Sequence, residues 1–235
     1  MKEVIKFLII IFFSPGFVFA QGEFNNWYFG NYAGVTFNSG HPVAIMNNIG
    51  QSLNTSVTVS DSLGNLLFYS SSQNVYDRNN NIMPNSNNLL FDGAQPILSI
   101  KSLVDDSIYY LFTIGMPSFP VTRGLFYSVI DLRLRGGLGD IVPSLKKIRL
   151  SGAENAFSFV VGTRHKNNKD AWIVVRSHDP KVYLSYLVTS AGINTTPVVS
   201  TSLVNDTLLN VSTDYTCKIS QEGNKLFAIY PDNVI

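Results

Sequence analysis

The side chains that could do chemistry are few and dispersed. His41, His165 and His178 have no paired spacing and no cysteine or carboxylate cluster beside them, whereas a zinc site needs three or four converging ligands. Turn or surface positions account for all three. Asp105-Asp106, taken with Asp92 or Asp140, has the residue types of a calcium cluster or of the carboxylate pair that hydrolyses a glycosidic bond. Adjacent strand residues point to opposite faces, however, and at a hairpin tip they splay into water. A turn-forming role, in which each Asp accepts bonds from its own backbone, fits them better.

Gly136-Gly137-Leu138-Gly139-Asp140 is glycine-rich, but no Gly-Lys-Ser/Thr follows and no helix opens there, so it reads as a tight turn between units rather than a phosphate loop. There is no Gly-x-Ser-x-Gly elbow to seat a serine nucleophile. Cys217 lies between Thr216 and Lys218 in a predicted strand, where it suits a small buried hydrophobe. The expectation is a protein without catalytic activity, cofactor or metal site. Aromatic side chains remain: Trp27, Tyr28, Phe29, Tyr109, Tyr110, Trp172, Tyr183 and Tyr186. Most fall at alternating strand positions and suit packing between sheets. Tyr110, Trp172 and Tyr186 are the candidates for contact with a ligand.

The elements that must position these residues are four hairpins, in each of which a β-rich run meets a polar turn and is answered by an aromatic-rich run. They begin at Thr55, Pro96, Ala156 and Tyr215. The first and last share a core, Ser60-x-x-x-Gly64-Asn65-x-Leu67-Phe68 against Ser220-x-x-Gly223-Asn224-x-Leu226-Phe227, with one extra residue in the earlier turn. Such self-similarity marks a repeat architecture. Further strands are predicted around the Gly/Asn turn of residues 25–37, at Val75-Tyr76-Asp77, from Gly124 to Leu132, and from Val182 to Val188. Gly40 to Asn54, Asn79 to Asn88 and Met116 to Thr122 read as loops.

In this reading each hairpin supplies two middle strands and the next run an outer one. The runs Lys146–Leu150 and Pro197–Ser200 open the following unit. The fold expected is all-β, a β-propeller of about four antiparallel blades with the last incomplete, the alternative being a β-sandwich. With only Pro231 to Ile235 after the fourth hairpin, the chain reads as the front part of something longer.

Lys2 and Lys6 flank the start of an apolar stretch, Phe7 to Phe13, and Val18-Phe19-Ala20 follows Pro15-Gly16. This is the pattern of a secretory signal peptide, residues 1–20, cut near Ala20. Pro15 and Gly16 interrupt the run before it could span a bilayer, so no stable membrane insertion is expected of the mature chain, residues 21–235. With Lys2, Lys6 and Glu3 removed, the 17 basic and 16 acidic side chains fall to 15 of each. That balance removes the electrostatic case for nucleic acid. A single cysteine excludes an internal disulfide, leaving buried apolar area to stabilise the fold.

Read together, these phrases resemble the N-terminal propeller-like region of large secreted Bacteroidetes proteins that carry PKD-type modules and a C-terminal sorting domain for type IX secretion. The resemblance runs through Trp27-Tyr28-Phe29-Gly30-Asn31-x-Ala33-Gly34-x-x-Phe37-Asn38, Ser60-Asp61-x-x-Gly64-Asn65-Leu66-Leu67-Phe68-Tyr69, Gly124-Leu125-x-Tyr127-Ser128-x-Ile130-Asp131, Gly136 to Asp140, Lys169-Asp170-x-Trp172 and Thr189-x-Ala191-Gly192. The chain departs from it at Glu154-Asn155-Ala156-Phe157 and at Ser70 to Gln73.

The resemblance implies a secreted or surface-associated binding module with no established catalytic activity. It also makes Asp61-Ser62-Leu63, Asp106-Ser107-Ile108 and Asp206-Thr207-Leu208 similar to O-glycosylation sites of exported Bacteroidetes proteins, at Ser62, Ser107 and Thr207; the same residues serve equally as turn chemistry. Asn54, Asn194, Asn205 and Asn210 sit in N-x-Ser/Thr sequons. The function expected is an exported, non-catalytic module binding a protein or glycan. The alternatives are a polysaccharide-acting enzyme with acidic loop residues at the propeller mouth, or a fragment without independent function.

Overall fold

The computed structural model describes residues 22–50, 56–71, 74–89, 96–115, 123–179, 181–202, 216–220 and 222–229. Residues 1–20, Asp92, Thr207, the loop 116–122 and the sequons at Asn54, Asn205 and Asn210 lie outside these. The described residues form an all-β, propeller-like fold of five antiparallel sheets. The first sheet contains β1 (Asn26–Phe29), β2 (Ala33–Thr36) and β3 (Val43–Ala44). The second is built on the first hairpin, β4 (Ser56–Ser60) and β5 (Leu66–Ser71), with β6 (Asn74–Asp77) beside β5.

The third sheet has β7 (Ile97–Lys101), β8 (Ile108–Gly115) and β9 (Gly124–Asp131), then β10 (Asp140–Ile141) and β11 (Ile148–Arg149). The fourth repeats that plan with β12 (Ala156–Arg164), β13 (Ala171–Ser177), β14 (Val182–Thr189), β15 (Gly192–Ile193) and β16 (Val198–Thr201). The last hairpin, β17 (Thr216–Ile219) and β18 (Leu226–Ile229), makes the fifth sheet.

All four hairpins form where the sequence places them, because turn chemistry sits between runs of β-branched and aromatic residues. In the first, Asp61 Oδ1 accepts the backbone N–H groups of Leu63 and Asn65 at 2.9 and 2.8 Å. Gly64 takes the left-handed conformation, φ 85°, which a side chain would oppose. The extra residue of this turn is absorbed by a register shift between Val59 and Ser60; the last hairpin pairs without one.

The place of the hairpins within each sheet differs from expectation. They are the first and second strands, not the middle pair: β4, β7 and β12 each pair on one side only among the described residues. Ile148–Arg149 and Val198–Thr201 do not open the following sheets. β11 folds back onto β9, at Tyr127 and Phe126, and β16 onto β14. The Gly136–Asp140 segment is likewise a return within one sheet, since it carries the chain into β10, which pairs with Asp131 and Ile130 of β9. Positive φ at both Arg135 and Gly136 lets the chain reverse there. Two short strands thus share the fourth position of each five-stranded sheet.

Alternation along the strands explains the packing. Tyr109 and Leu111 of β8 face Phe68, Val75 and Met83, filling the space between the second and third sheets. Phe112 and Ile114, on the opposite face of β8, meet Ala156, Val160, Ile173, Val175 and Tyr186 of the fourth sheet. Phe159 and Val161 point on toward Cys217 of the fifth. Tyr28 of the first sheet stacks on Tyr69 of the second, ring centroids 4.5 Å apart, and Tyr69 on Tyr76 at 4.9 Å. The core is therefore a series of layers between successive sheets, in which each fully buried large side chain contributes roughly 1.5–3 kcal/mol.

Candidate functional site

This stacking brings the first strands together. β4 lies beside β1 and β7, and β12 lies beside β7 and β17. Where they converge they line a cleft of about 890 Å3, walled by Thr58 to Ser60 of β4, Leu98 to Lys101 of β7 and Gly162 to Arg164 of β12. Glu23, Phe24, Tyr109 and the third-hairpin turn from Asn167 to Asp170 also contribute to the lining. Gly162 matters to this geometry: a Cβ there would stand 3.0 Å from Leu98 Cδ2 and 3.2 Å from Ile100 Cδ1. A glycine inside a strand pattern signals such a close approach, and this one was readable in Val161-Gly162-Thr163.

The lining is rich in hydroxyls and amides. Thr58 Oγ1 accepts the Tyr28 N–H at 2.9 Å, and Ser60 Oγ accepts Asn26 Nδ2 at 2.9 Å, so these two hydroxyls also tie the first sheet to the second. Ser99 Oγ is buried with no hydrogen-bond partner among the described residues. Lys101 Nζ lies 2.8 Å from Asp106 Oδ1, and that hydrogen bond holds the ammonium above its ordinary range. Arg164 and Lys169 are exposed on the rim, while Asp170 accepts Asn167 Nδ2 at 2.6 Å. Burial raises the Tyr109 phenol and keeps it neutral. The lining thus mixes cations, carboxylates and neutral hydrogen-bonding groups around a partly apolar wall.

The residues singled out from sequence scatter around this cleft. Trp172 lines a second groove between the fourth and fifth sheets. Tyr110 is half-buried near Phe112 and Tyr127, and burial raises its phenol. Tyr186 has no exposed surface and donates its hydroxyl to Ser151 O at 2.9 Å. It is a core residue with no face for a ligand, and the expectation for it is corrected. Trp27 and Phe29, expected to pack, instead stand out from β1 into solvent.

Asp105 and Asp106 occupy the second hairpin turn. Asp105 accepts the Ser107 N–H at 2.9 Å and pairs with Arg133 at 3.2 Å, while the Asp106 side chain is 91% exposed. Asp140 lies elsewhere, buried and accepting both the backbone and side-chain N–H groups of Asn85. Ser62 is exposed at the first turn, Ser107 is half-buried and Asn194 is exposed. His165 accepts the Asn167 N–H and lies against Trp172, and the His178 ring lies against Phe157. Among the described residues no three His, Cys, Asp or Glu side chains gather into a metal-sized group, and no helix is long and apolar enough to cross a membrane. Cys217 is buried and its thiol is pushed up to about 12.

One polar constellation was not anticipated. Asp77 is fully buried; its Oδ1 accepts the N–H groups of Asn79 and Asn81, and its Oδ2 receives Arg135 Nη2 at 3.0 Å. Arg135 also donates to Gly139 O, and Arg78 donates to Gly137 O. This network ties β6 to the β9–β10 turn. The partners are 58 residues apart in sequence, which hid the pairing, although Asp77-x-Asn79-x-Asn81 was visible as an Asx-type turn. Comparison with family models, curated proteins and solved structures found no match to this chain.

Proposed function

We propose that this chain is an exported, non-catalytic binding module of a secreted or cell-surface protein, of the Bacteroidetes kind its sequence resembles, and that it holds a glycan or a protein loop in the cleft between its first strands. The observation that carries the reading is the cleft itself. Three hairpins from three sheets contribute to one concave site in which hydroxyls and amides stand beside a few charged groups. Concave, partly apolar sites with a few convergent polar groups are where ligands bind. Of the two lining carboxylates Asp170 accepts Asn167 Nδ2 and Glu23 stands apart from it on the first sheet's side, while Asp106 beside the cleft pairs with Lys101; no carboxylate pair is gathered there, which suits recognition better than proton transfer. In this reading Ser62 and Ser107 carry O-linked sugar.

The test is retention of the mature chain on a glycan panel and on intact cells, beside Ser99→Leu, which places a larger apolar side chain in the cleft wall. Ser99→Leu is expected to bind at least about tenfold more weakly, with its melting temperature checked in parallel. Turnover of a glycan that disappears in Asp106→Asn would replace this reading with an enzymatic one.

A further inference from the structure

In two successive hairpins the first strand ends on a cation. Lys101 ends β7 and Arg164 ends β12. Each stands one residue before the N–H that closes its turn: Ser102 N–H donates to Ile108 O and His165 N–H to Asp170 O, both at 2.8 Å. The two side chains therefore hold equivalent places in successive sheets, and both line the cleft.

Their turns treat them differently. The second turn provides a counter-ion, since Asp106 Oδ1 lies 2.8 Å from Lys101 Nζ. That hydrogen bond, joined by the charge of Glu23, holds the ammonium above its ordinary range. The third turn, His165-Lys166-Asn167-Asn168-Lys169-Asp170, adds two lysines and a single carboxylate. That carboxylate, Asp170, accepts Asn167 Nδ2 at 2.6 Å. Among the described residues neither the Arg164 guanidinium nor the Lys169 ammonium has a carboxylate partner. The cleft is thus polarised, with charge matched on its β7 wall and positive charge left over on its β12 wall. A concave site concentrates such a field, and a guanidinium offers a carboxylate two parallel hydrogen bonds.

Taking the cleft as the binding site, as above, we propose that its ligand is an acidic glycan, a uronate carboxylate of which pairs with Arg164 and Lys169. The ligand then supplies to the third hairpin the counter-ion that Asp106 supplies to the second. The rest of the lining suits sugar rings. Thr163, Asn168 and Ser190 present hydroxyls and an amide to sugar hydroxyls, and Phe24, 72% exposed, presents an apolar face to ring C–H groups. A volume of about 890 Å3 falls within the range of small-ligand sites, about 300–1,000 Å3. It admits a few linked sugars rather than a folded partner.

The probes are trisaccharides of galacturonate, glucuronate and mannuronate, each beside its methyl ester, which keeps the rings and removes the charge. They are titrated calorimetrically against the mature chain. At least one acid is expected to bind about tenfold more tightly than its ester at low salt and to lose that advantage as salt is raised. Arg164→Gln and Lys169→Gln, both at exposed positions that leave the fold intact, should each weaken that acid by about three- to tenfold. Neither should change binding of the ester, and Lys147→Gln, on the outer edge of the third sheet, should change neither ligand. Equal binding of acid and ester that Ser99→Leu weakens overturns the acidic class and leaves the cleft reading standing. Binding of an acid that Ser99→Leu does not weaken removes the cleft as its site and overturns both. Failure of every uronate to bind overturns the acidic class, the neutral glycans still testing the cleft. Hexa-aspartate that competes with the uronate at equal affinity overturns the glycan in favour of an acidic peptide.

Discussion

The first and last hairpins carry nearly the same phrase, nine residues in the first and eight in the last, and both fold as antiparallel hairpins, yet they live in different surroundings. Phe68 is fully buried and meets Tyr109 edge-on at 5.3 Å. Phe227, its counterpart, is 60% exposed. The difference is the neighbour: the third sheet lies against the forward face of the second, and among the described residues nothing lies against that face of the fifth. A strand-turn-strand phrase therefore specifies a hairpin, and the next sheet decides whether its aromatic is core or surface.

The largest test of this contrast is a pair of truncations. Phe68→Ala should cost about 3–5 kcal/mol through lost burial and a residual cavity, whereas Phe227→Ala should stay within about 0.5 kcal/mol. Equal losses in urea unfolding would show that both aromatics are covered in solution. Next in size is Asp77→Ala. It leaves Arg135 without its carboxylate and two backbone N–H groups without an acceptor, and should cost about 3 kcal/mol. A thermal melt within error of the parent would sink the view that this network clamps the second sheet to the third.

Alkaline pH probes the layer behind the first hairpin. Burial pushes the Tyr69 phenol up to about 12. Because the folded value lies above the unfolded one, its contribution is complete below about pH 10 and is lost as pH rises through about 12, an effect on the order of 2 kcal/mol. The Cys217 thiol behind the last hairpin is likewise pushed up to about 12, so its contribution begins to fall near pH 9. Following unfolding and tyrosinate absorbance together checks the order; early ionisation of every tyrosine would contradict it.

The smallest effect is at the turns. Burial works to raise the Asp61 carboxyl, but bonds from the Asn65 side chain and from the backbone of Asn65, Leu63 and Gly64 outweigh it and hold the group below its usual range. Its contribution is present at neutral pH and lost as pH falls below about 4. Asp61→Ala should cost about 1 kcal/mol at neutral pH and progressively less in acid. Ser220, which accepts the Lys225 N–H at 3.1 Å, should cost less when replaced by Ala.

Much of the fold was readable because turn chemistry and strand alternation are local. Asp61 to Asn65 and Lys166 to Asp170 announce their hairpins, and β14 announces itself by alternation. The place of each strand within its sheet was not readable, because Ile148–Arg149 and Val198–Thr201 are short apolar runs that could pair with either neighbour. The cleft was hidden for a related reason: its walls come from three hairpins, and nothing in one strand records which others it will face. Exposure of Trp27 beside burial of Tyr28 follows from which face of β1 has a sheet against it, again a property of the assembly.

The division of each outer position into two short strands, β10 with β11 and β15 with β16, bears on how the molecule behaves in a crowd. A continuous outer strand would offer a long row of unpaired amides on which another chain could polymerise. Broken into pieces of two to four residues by Pro143 to Leu145 in one sheet and Asn194 to Pro197 in the other, that row is too short to template fibril growth. The same interruptions make the rim the part of the chain where inserted residues would be tolerated with least disturbance to the layers inside.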